Sequence, residues 1–331
     1  MARHSIATDH VSVVSGQSTA VYNAVHSPDG ELVVAVADMA ILTQGPTDAL
    51  DALLTGLLAH PTRMGAPTVL CFDGNLAPST VARVIHPQYQ PCLCTVFEPT
   101  SGPKAIKLIE AWQHLHTSMG ISDGPGFRQT LSRLTSSHPV VNYATPDRSE
   151  LAALFGALES LTAWQDGWDA NVSQLVSNLH HPWATVMARR GRQTGPDSMP
   201  GGSTATTIAP ATAQTMLKQA LMLVTTIVPN LVVKLGSIGV LIVRAYRAQS
   251  SDDSTGIPGG LSQPIRPLEL PSERFPSGTA AWQVAGFIPI DGGYPLTIEL
   301  AYIPAHLCTS IRSVAGAGDR SDVVFAHITD S

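Results

Sequence analysis

The sequence predicts an α/β fold in which a mostly parallel sheet is covered by helices. Short apolar segments alternate with amphipathic segments of about 10–15 residues, which is typical of strands that alternate with helices. Several apolar segments end in polar turn residues, as buried parallel strands do. The chain has 331 residues, of which 44% are hydrophobic and 13% charged. It can therefore bury a large core and is not intrinsically disordered over most of its length.

Two β-rich segments near the N-terminus predict a hairpin. Ala20–Val25 and Leu32–Val36 flank the turn sequence Ser27–Gly30, and such a turn joins antiparallel strands. Thr47–Ala59 predicts an amphipathic helix because its leucines recur at helical spacing.

Two buried parallel strands are predicted next. Pro67–Phe72 ends at the turn Asp73-Gly74-Asn75, and Leu93–Phe97 ends at Glu98. A helix over Pro103–His116 follows the second strand.

The remaining predicted elements complete the sheet. Pro139–Tyr143 predicts a strand, and Pro146–Ser160 predicts a helix with Glu150 in its first turn, where negative charge is favourable. Leu231–Leu235 and Val240–Val243 predict a hairpin. Two segments rich in Gly, Ser, Thr and Pro, near 190–214 and 250–279, are predicted to be exposed loops.

Composition narrows the classes of partner. Lys and Arg number 19 against 25 Asp and Glu, for a net charge of -6, so no extended basic stripe is available for nucleic acid. The apolar stretch Leu221–Val243 is interrupted by Pro229, Asn230 and Lys234, and it predicts helix end, strand, turn and strand rather than a membrane span. The N-terminal residues lack the apolar run of a signal peptide. We therefore expect a cytoplasmic protein with no membrane partner.

The sharpest chemical motif is Gly316-Ala317-Gly318-Asp319, near the C-terminus. Glycines that enter a helix let consecutive backbone N–H groups point at one anion, and the helix dipole adds attraction. An Asp in the first turn can accept a hydroxyl proton beside that anion, as phosphoryl transfer requires. A glycine-rich turn with an Asp cap is the alternative interpretation.

Taken in order, segments along the chain resemble the ribokinase-like (phosphofructokinase B type) carbohydrate kinases, most closely the pseudouridine kinase branch. These segments are Ser18–Tyr22, Asp29–Leu32, Ala37–Met39, Asp73–Asn75, Glu98–Ser101 with Lys104-Ala105, Thr145–Asp147 with Glu150-Leu151, Lys234–Gly236 with Gly239-Val240, and Gly316–Asp319. The resemblance implies a three-layer αβα sandwich with a mostly parallel sheet and a small β lid.

The resemblance also implies the chemistry, which is ATP-dependent phosphoryl transfer to the 5′-hydroxyl of pseudouridine or a related nucleoside or sugar. Asp319 would be the general base, and the N–H groups of Gly316, Ala317 and Gly318 would form the anion hole. Glu150 would help to hold Mg²⁺ through water.

The nucleotide site would lie at the carboxyl edge of the sheet, where ligands of open α/β sheets bind. By the resemblance, the residues near the nucleotide are Lys234, Gly236, Asp73, Asn75 and Lys104. Structural interpretations stay open for several of them. Asp73 and Asn75 fit a turn, Glu150 fits a helix start, and Lys104 fits a solvated helix surface.

The resemblance divides the chain into an irregular N-terminus (1–17), a partial β lid (18–37) and a kinase domain (38–331) with loop insertions near 190–214 and 250–279. Relative to the family, the chain is expected to be truncated at both ends. Asp147 stands where the family has Asn. An alternative is therefore a catalytically impaired relative that binds a ligand or partner, and a kinase for another sugar is a further one. A sheet edge left exposed by the missing first strand predicts dimerisation or poor solubility.

Overall fold

The computed structural model describes residues 11–28, 32–44, 47–59, 68–89, 93–118, 140–161, 169–179, 208–247, 266–267, 279–287 and 295–305. These ranges form an α/β fold with a large, mostly parallel sheet and packed helices. The predicted fold class is confirmed. None of the helices in these ranges has both the length and the apolar composition needed to traverse a bilayer.

The predicted N-terminal hairpin is confirmed. Strands β1 (Val21–His26) and β2 (Leu32–Asp38) pair antiparallel in a two-stranded sheet separate from the large one. The residues of β2 are all exposed.

Helices alternate with the first strands of the large sheet, as the apolar periodicity predicts. The elements in this part are α1 (Ala40–Gln44), α2 (Thr47–Ala59), β3 (Thr68–Asp73), α3 (Pro78–Val84), β4 (Leu93–Glu98), α4 (Gly102–Ala105) and α5 (Lys107–Ser118).

Later elements complete the sheet. They are β5 (Tyr143–Ala144), α6 (Arg148–Leu161), α7 (169–179), α8 (Pro210–Val224), β6 (Asn230–Lys234), β7 (Gly239–Arg247), β8 (Arg266–Pro267), β9 (Ala280–Phe287) and β10 (Leu296–Pro304).

The large sheet has the strand order β3-β4-β5-β6-β7-β10-β9-β8. The first four strands pair parallel, and the remaining pairs are antiparallel. Following these pairings, β3, β4, β5, β6, β8 and β10 point one way and β7 and β9 the other, so six of the eight strands share a direction. In the described part β3 is an edge strand.

Alternation of side chains places the main core on one face of the sheet. In β4, Leu93, Thr95 and Phe97 are buried, whereas the residues between them are half-buried. The apolar residues of α3, α5, α6, α7 and α8 join this core. On the opposite face Val232, Ile242 and Ile303 form a smaller cluster.

Four predicted boundaries require correction. The predicted helix over Pro103–His116 is two helices, α4 and α5, interrupted at Ile106. The strand predicted over Pro139–Tyr143 is shorter and begins later, at Tyr143–Ala144 (β5), because the N–H groups of Val140 and Val141 donate to the carbonyl of Ile227.

The two predicted loops also contain regular structure. Pro210 begins α8 inside the first loop, since proline suits the first turn of a helix and Ala213 is buried in the core. Arg266–Pro267 pairs with β9 inside the second loop. Residues 190–207, 250–265 and 268–278 of these loops lie outside the described residues.

Candidate active site

The candidate site lies at the carboxyl ends of the parallel strands. Asp73 ends β3, Glu98 ends β4, Thr145 follows β5 and Lys234 ends β6. Parallel pairing brings these ends to a single edge of the sheet. This is the edge at which open α/β sheets bind ligands.

The first group of polar residues, here called the Asn75 cluster, comprises Asp73, Asn75, Lys104 and Lys107. Asp73 Oδ1 accepts from the Asn75 N–H at 2.9 Å, and Asp73 Oδ2 accepts from Asn75 Nδ2 at 2.7 Å. Lys104 Nζ donates to Asn75 Oδ1 at 2.5 Å. The turn that Asp73 and Asn75 form therefore also orients the Lys104 ammonium.

Lys107 adds a second ammonium group to the Asn75 cluster. Its Nζ donates to the carbonyl oxygens of Leu76 at 3.1 Å and Asn75 at 3.4 Å. Lys104 and Lys107 thus bind neutral oxygen atoms, and within the described residues neither forms an ion pair. No carboxylate of the described residues pairs with either charge, which suits an anionic ligand.

The second group, here called the Glu98 cluster, comprises Glu98, Thr145, Glu150 and Lys234. Lys234 Nζ lies 2.6 Å from Glu98 Oε1 and 3.8 Å from Glu150 Oε2. The Thr145 hydroxyl donates to Glu98 Oε2. One ammonium group is therefore held between two carboxylates from different elements of the fold.

Glu150 is fixed by the start of α6. Its Oε2 accepts from the Asp147 N–H at 2.7 Å, and Asp147 Oδ1 accepts from the Glu150 N–H at 2.8 Å. This reciprocal arrangement is a capping box, with Asp in the cap position. Burial raises the pKa of the Glu150 carboxyl, whereas the Asp147 N–H and the Lys234 ammonium oppose that rise.

Gly74 connects the two clusters. Its N–H donates to the Glu98 carbonyl at 2.9 Å. A Cβ at this position would lie 2.4 Å from the Pro99 carbonyl oxygen and 2.8 Å from Lys104 Cβ. Glycine is therefore required for the close approach of β3's end to the segment after β4.

Gly236 lies beyond the end of β6, at the start of a single 3₁₀ turn over Gly236–Ile238. Its φ of 62° is left-handed and favours glycine. The turn carries the chain from Lys234 into β7, and so the predicted hairpin is confirmed.

The structure thus brings several predicted site residues together at one edge. Asp73, Asn75 and Lys104 share the Asn75 cluster, and Glu150 and Lys234 share the Glu98 cluster. The predicted catalytic residues Gly316, Ala317, Gly318 and Asp319 lie outside the described residues.

Three residues of the site received no role from the sequence: Glu98, Thr145 and Lys107. Glu98 ends its strand as Asp73 does, and this shared position at a strand end is the sequence feature that could have indicated a role for Glu98.

Thr100 has a left-handed φ of 64°, which is uncommon for a residue with a side chain. It lets the chain turn sharply after Glu98, whose Oε1 accepts from the Thr100 N–H at 3.4 Å.

The described residues do not form a direct magnesium site. In these ranges no cluster of three or more His, Cys, Asp or Glu side chains is arranged to hold a metal ion. The Glu150 carboxylate is already engaged by the Asp147 N–H. Mg²⁺ prefers several oxygen ligands and retains bound waters, so contact with Glu150 through water stays a prediction.

Comparison with known proteins gives one curated relative of limited coverage. No family model matches the chain. The chain is 24% identical over 256 residues to a pseudouridine-metabolizing bifunctional protein of Schizosaccharomyces pombe. The matched region covers 75% of this chain and 27% of that relative. This match supports the ribokinase-like resemblance. The chain therefore spans little more than a quarter of the relative's length.

A solved structure is also similar over part of its length. The matched region of a carbohydrate kinase from Agrobacterium tumefaciens covers 71% of this chain and 48% of the kinase chain, with 16% sequence identity and a TM-score of 0.34.

Proposed function

We propose that this chain is an ATP-dependent kinase that transfers the γ-phosphoryl group to a hydroxyl of a nucleoside or sugar. One observation carries the proposal: the ammonium groups of Lys104, Lys107 and Lys234 lie with a set of carboxylates at the carboxyl edge of the sheet. Fixed cations at this edge favour a polyphosphate ligand.

In the proposed reaction, the lysine ammonium groups bind phosphate oxygens of ATP. Asp319 takes the proton of the acceptor hydroxyl while the oxygen of that hydroxyl bonds to the γ-phosphorus. The bond from the γ-phosphorus to the β,γ-bridging oxygen breaks, and ADP is released. The N–H groups of Gly316, Ala317 and Gly318 stabilise charge on the transferred group. These four assignments rest on the family resemblance.

The proposed acceptor is the 5′-hydroxyl of pseudouridine or a related nucleoside. The motifs of the chain and the function given in the name of the S. pombe relative both favour this acceptor. ATP and Mg²⁺ are the proposed cofactors.

Turnover of the purified protein tests the proposal. ATP, Mg²⁺ and pseudouridine are incubated with the wild-type chain, with Asp319→Asn and with the nearby control Asp322→Asn. The proposal predicts phosphorylated nucleoside from the wild type and the control but none from Asp319→Asn. Equal rates in all three proteins would exclude Asp319 as the base. Competition by other nucleosides and sugars identifies the preferred acceptor.

A second candidate is a catalytically impaired relative that binds a ligand without turnover. The observation that favours it is the capping box, which commits the Glu150 carboxylate to the start of α6 and to Lys234. This candidate predicts that the wild type binds ATP and forms no product with any acceptor.

A further inference from the structure

We propose that Glu98 is an internal counter-anion that occupies Lys234 until a phosphate group of the ligand replaces it. The inference rests on the proposed function in one respect only, the presence of a phosphate ligand at this edge. It adds a role for Glu98 in setting the affinity of the site for that ligand.

The two carboxylates near Lys234 differ in how firmly they are held. Glu150 is buried, with its side chain 5% exposed, and it is fixed by the Asp147 N–H. The Glu98 side chain is 39% exposed although it makes the shorter contact with Lys234. An exposed carboxylate regains water when it leaves its partner, so separation from Lys234 is less costly for Glu98 than for a buried group.

The hydrogen bonds of Glu98 permit a local movement. Its Oε1 contacts Lys234 Nζ and also accepts from the Thr100 N–H at 3.4 Å, whereas its Oε2 accepts from the Thr145 hydroxyl. A pivot of the carboxylate about Oε2 breaks the contact with Lys234 and the long hydrogen bond from the Thr100 N–H, while the bond to Thr145 persists. Exchange of Glu98 for a phosphate oxygen therefore requires no rearrangement of β4 or β6.

The charges of the neighbouring lysines indicate why this contact sets affinity. Lys104 and Lys107 bind neutral oxygens, so a phosphate that approaches them displaces no carboxylate. At this edge, within the described residues, Lys234 is the lysine whose charge is compensated by carboxylates. A phosphate must compete with Glu98 for Lys234, and it is also repelled by the negative charge of Glu98.

The variant Glu98→Gln tests the inference because it removes the charge and keeps similar volume and an oxygen acceptor. Calorimetric titration with inorganic pyrophosphate and with ATP is compared for the wild type, Glu98→Gln and Glu159→Gln. The last variant removes one carboxylate from an exposed position of α6. We expect Kd for both ligands to fall by about two- to fivefold in Glu98→Gln, the range of an exposed ion pair, and to stay unchanged in Glu159→Gln.

A double-mutant cycle assigns the effect to Lys234. In a Lys234→Met background, Glu98→Gln is expected to change Kd less than in the wild type, because no ammonium remains for which to compete. Thermal unfolding confirms that each variant folds. If Glu98→Gln does not fold, Glu98→Asp replaces it, since the shorter side chain reaches Lys234 less well and is expected to lower Kd in the same direction.

The outcomes separate this inference from the proposed kinase activity. Unchanged or weaker pyrophosphate binding by folded Glu98→Gln overturns the inference, and turnover by the wild type would leave the kinase proposal intact. Tighter pyrophosphate binding without ATP turnover supports the counter-anion role and contradicts the kinase. A wild type that binds neither ligand overturns both.

Discussion

The substitution Gly74→Ala tests whether the two clusters depend on a close backbone approach. Its new Cβ would lie 2.4 Å from the Pro99 carbonyl oxygen and 2.8 Å from Lys104 Cβ. The first of these atoms is backbone, so the strand ends must separate rather than a side chain turn away. Overpacking of this kind typically costs about 1–3 kcal/mol. We expect a loss of that size in the free energy of unfolding, measured by urea denaturation.

Gly156→Ala provides the matched control. Gly156 lies in α6, and a Cβ there would meet nothing within 4 Å. Alanine is the better helix former, so this variant is expected to gain about 1 kcal/mol. A free energy of unfolding for Gly74→Ala within about 0.5 kcal/mol of the wild type, the usual range for a surface substitution, would refute the close-approach argument.

Three further outcomes follow from the structure. Burial raises the pKa of the Cys94 thiol, whereas Cys71 is exposed. Iodoacetamide should therefore alkylate Cys71 faster than Cys94 when the reaction is followed by mass spectrometry, and equal rates would contradict this prediction. Partial burial, together with the hydrogen bond that its hydroxyl donates to Glu299, raises the pKa of Tyr246. The stability that its protonated hydroxyl contributes is therefore present below the pKa of the unfolded state and is lost as pH rises through the pKa of the folded state. In an alkaline titration followed by ultraviolet absorbance, the part of the signal that disappears in Tyr246→Phe should have a midpoint above about 10. Gly239 has a φ of 135°, and a Cβ added at this position would lie 2.2 Å from the Ile303 carbonyl oxygen. Gly239→Ala should therefore lower the urea midpoint of unfolding. An unchanged midpoint would contradict this close contact between β7 and β10.

Elements with a local signal could be predicted from the sequence. The helix predicted over Thr47–Ala59 has those bounds in the structure because its leucines and polar residues alternate at helical spacing. The Glu150 position in the first turn of α6 also follows from local sequence, since a capping residue and its partner stand three positions apart.

The chemistry of the Glu98 cluster could not be predicted in this way. Glu98 and Lys234 are 136 residues apart in sequence, and their contact arises only when β4, β5 and β6 align in parallel. The start of α8 was missed for a different reason. The composition of 190–214 resembles a loop, and burial of Ala213 against the core overrides that local preference.

Binding of ATP to the lysine edge tests the central claim most directly. Calorimetric titration compares the wild type with Lys104→Met and with Lys218→Met, a control that removes an ammonium paired with Asp169 on another part of the fold. The account predicts ATP binding by the wild type, a rise in Kd of about tenfold in Lys104→Met, as expected for one charged hydrogen bond, and no change in Lys218→Met. Equal affinities in all three proteins, or no binding by the wild type, would contradict it.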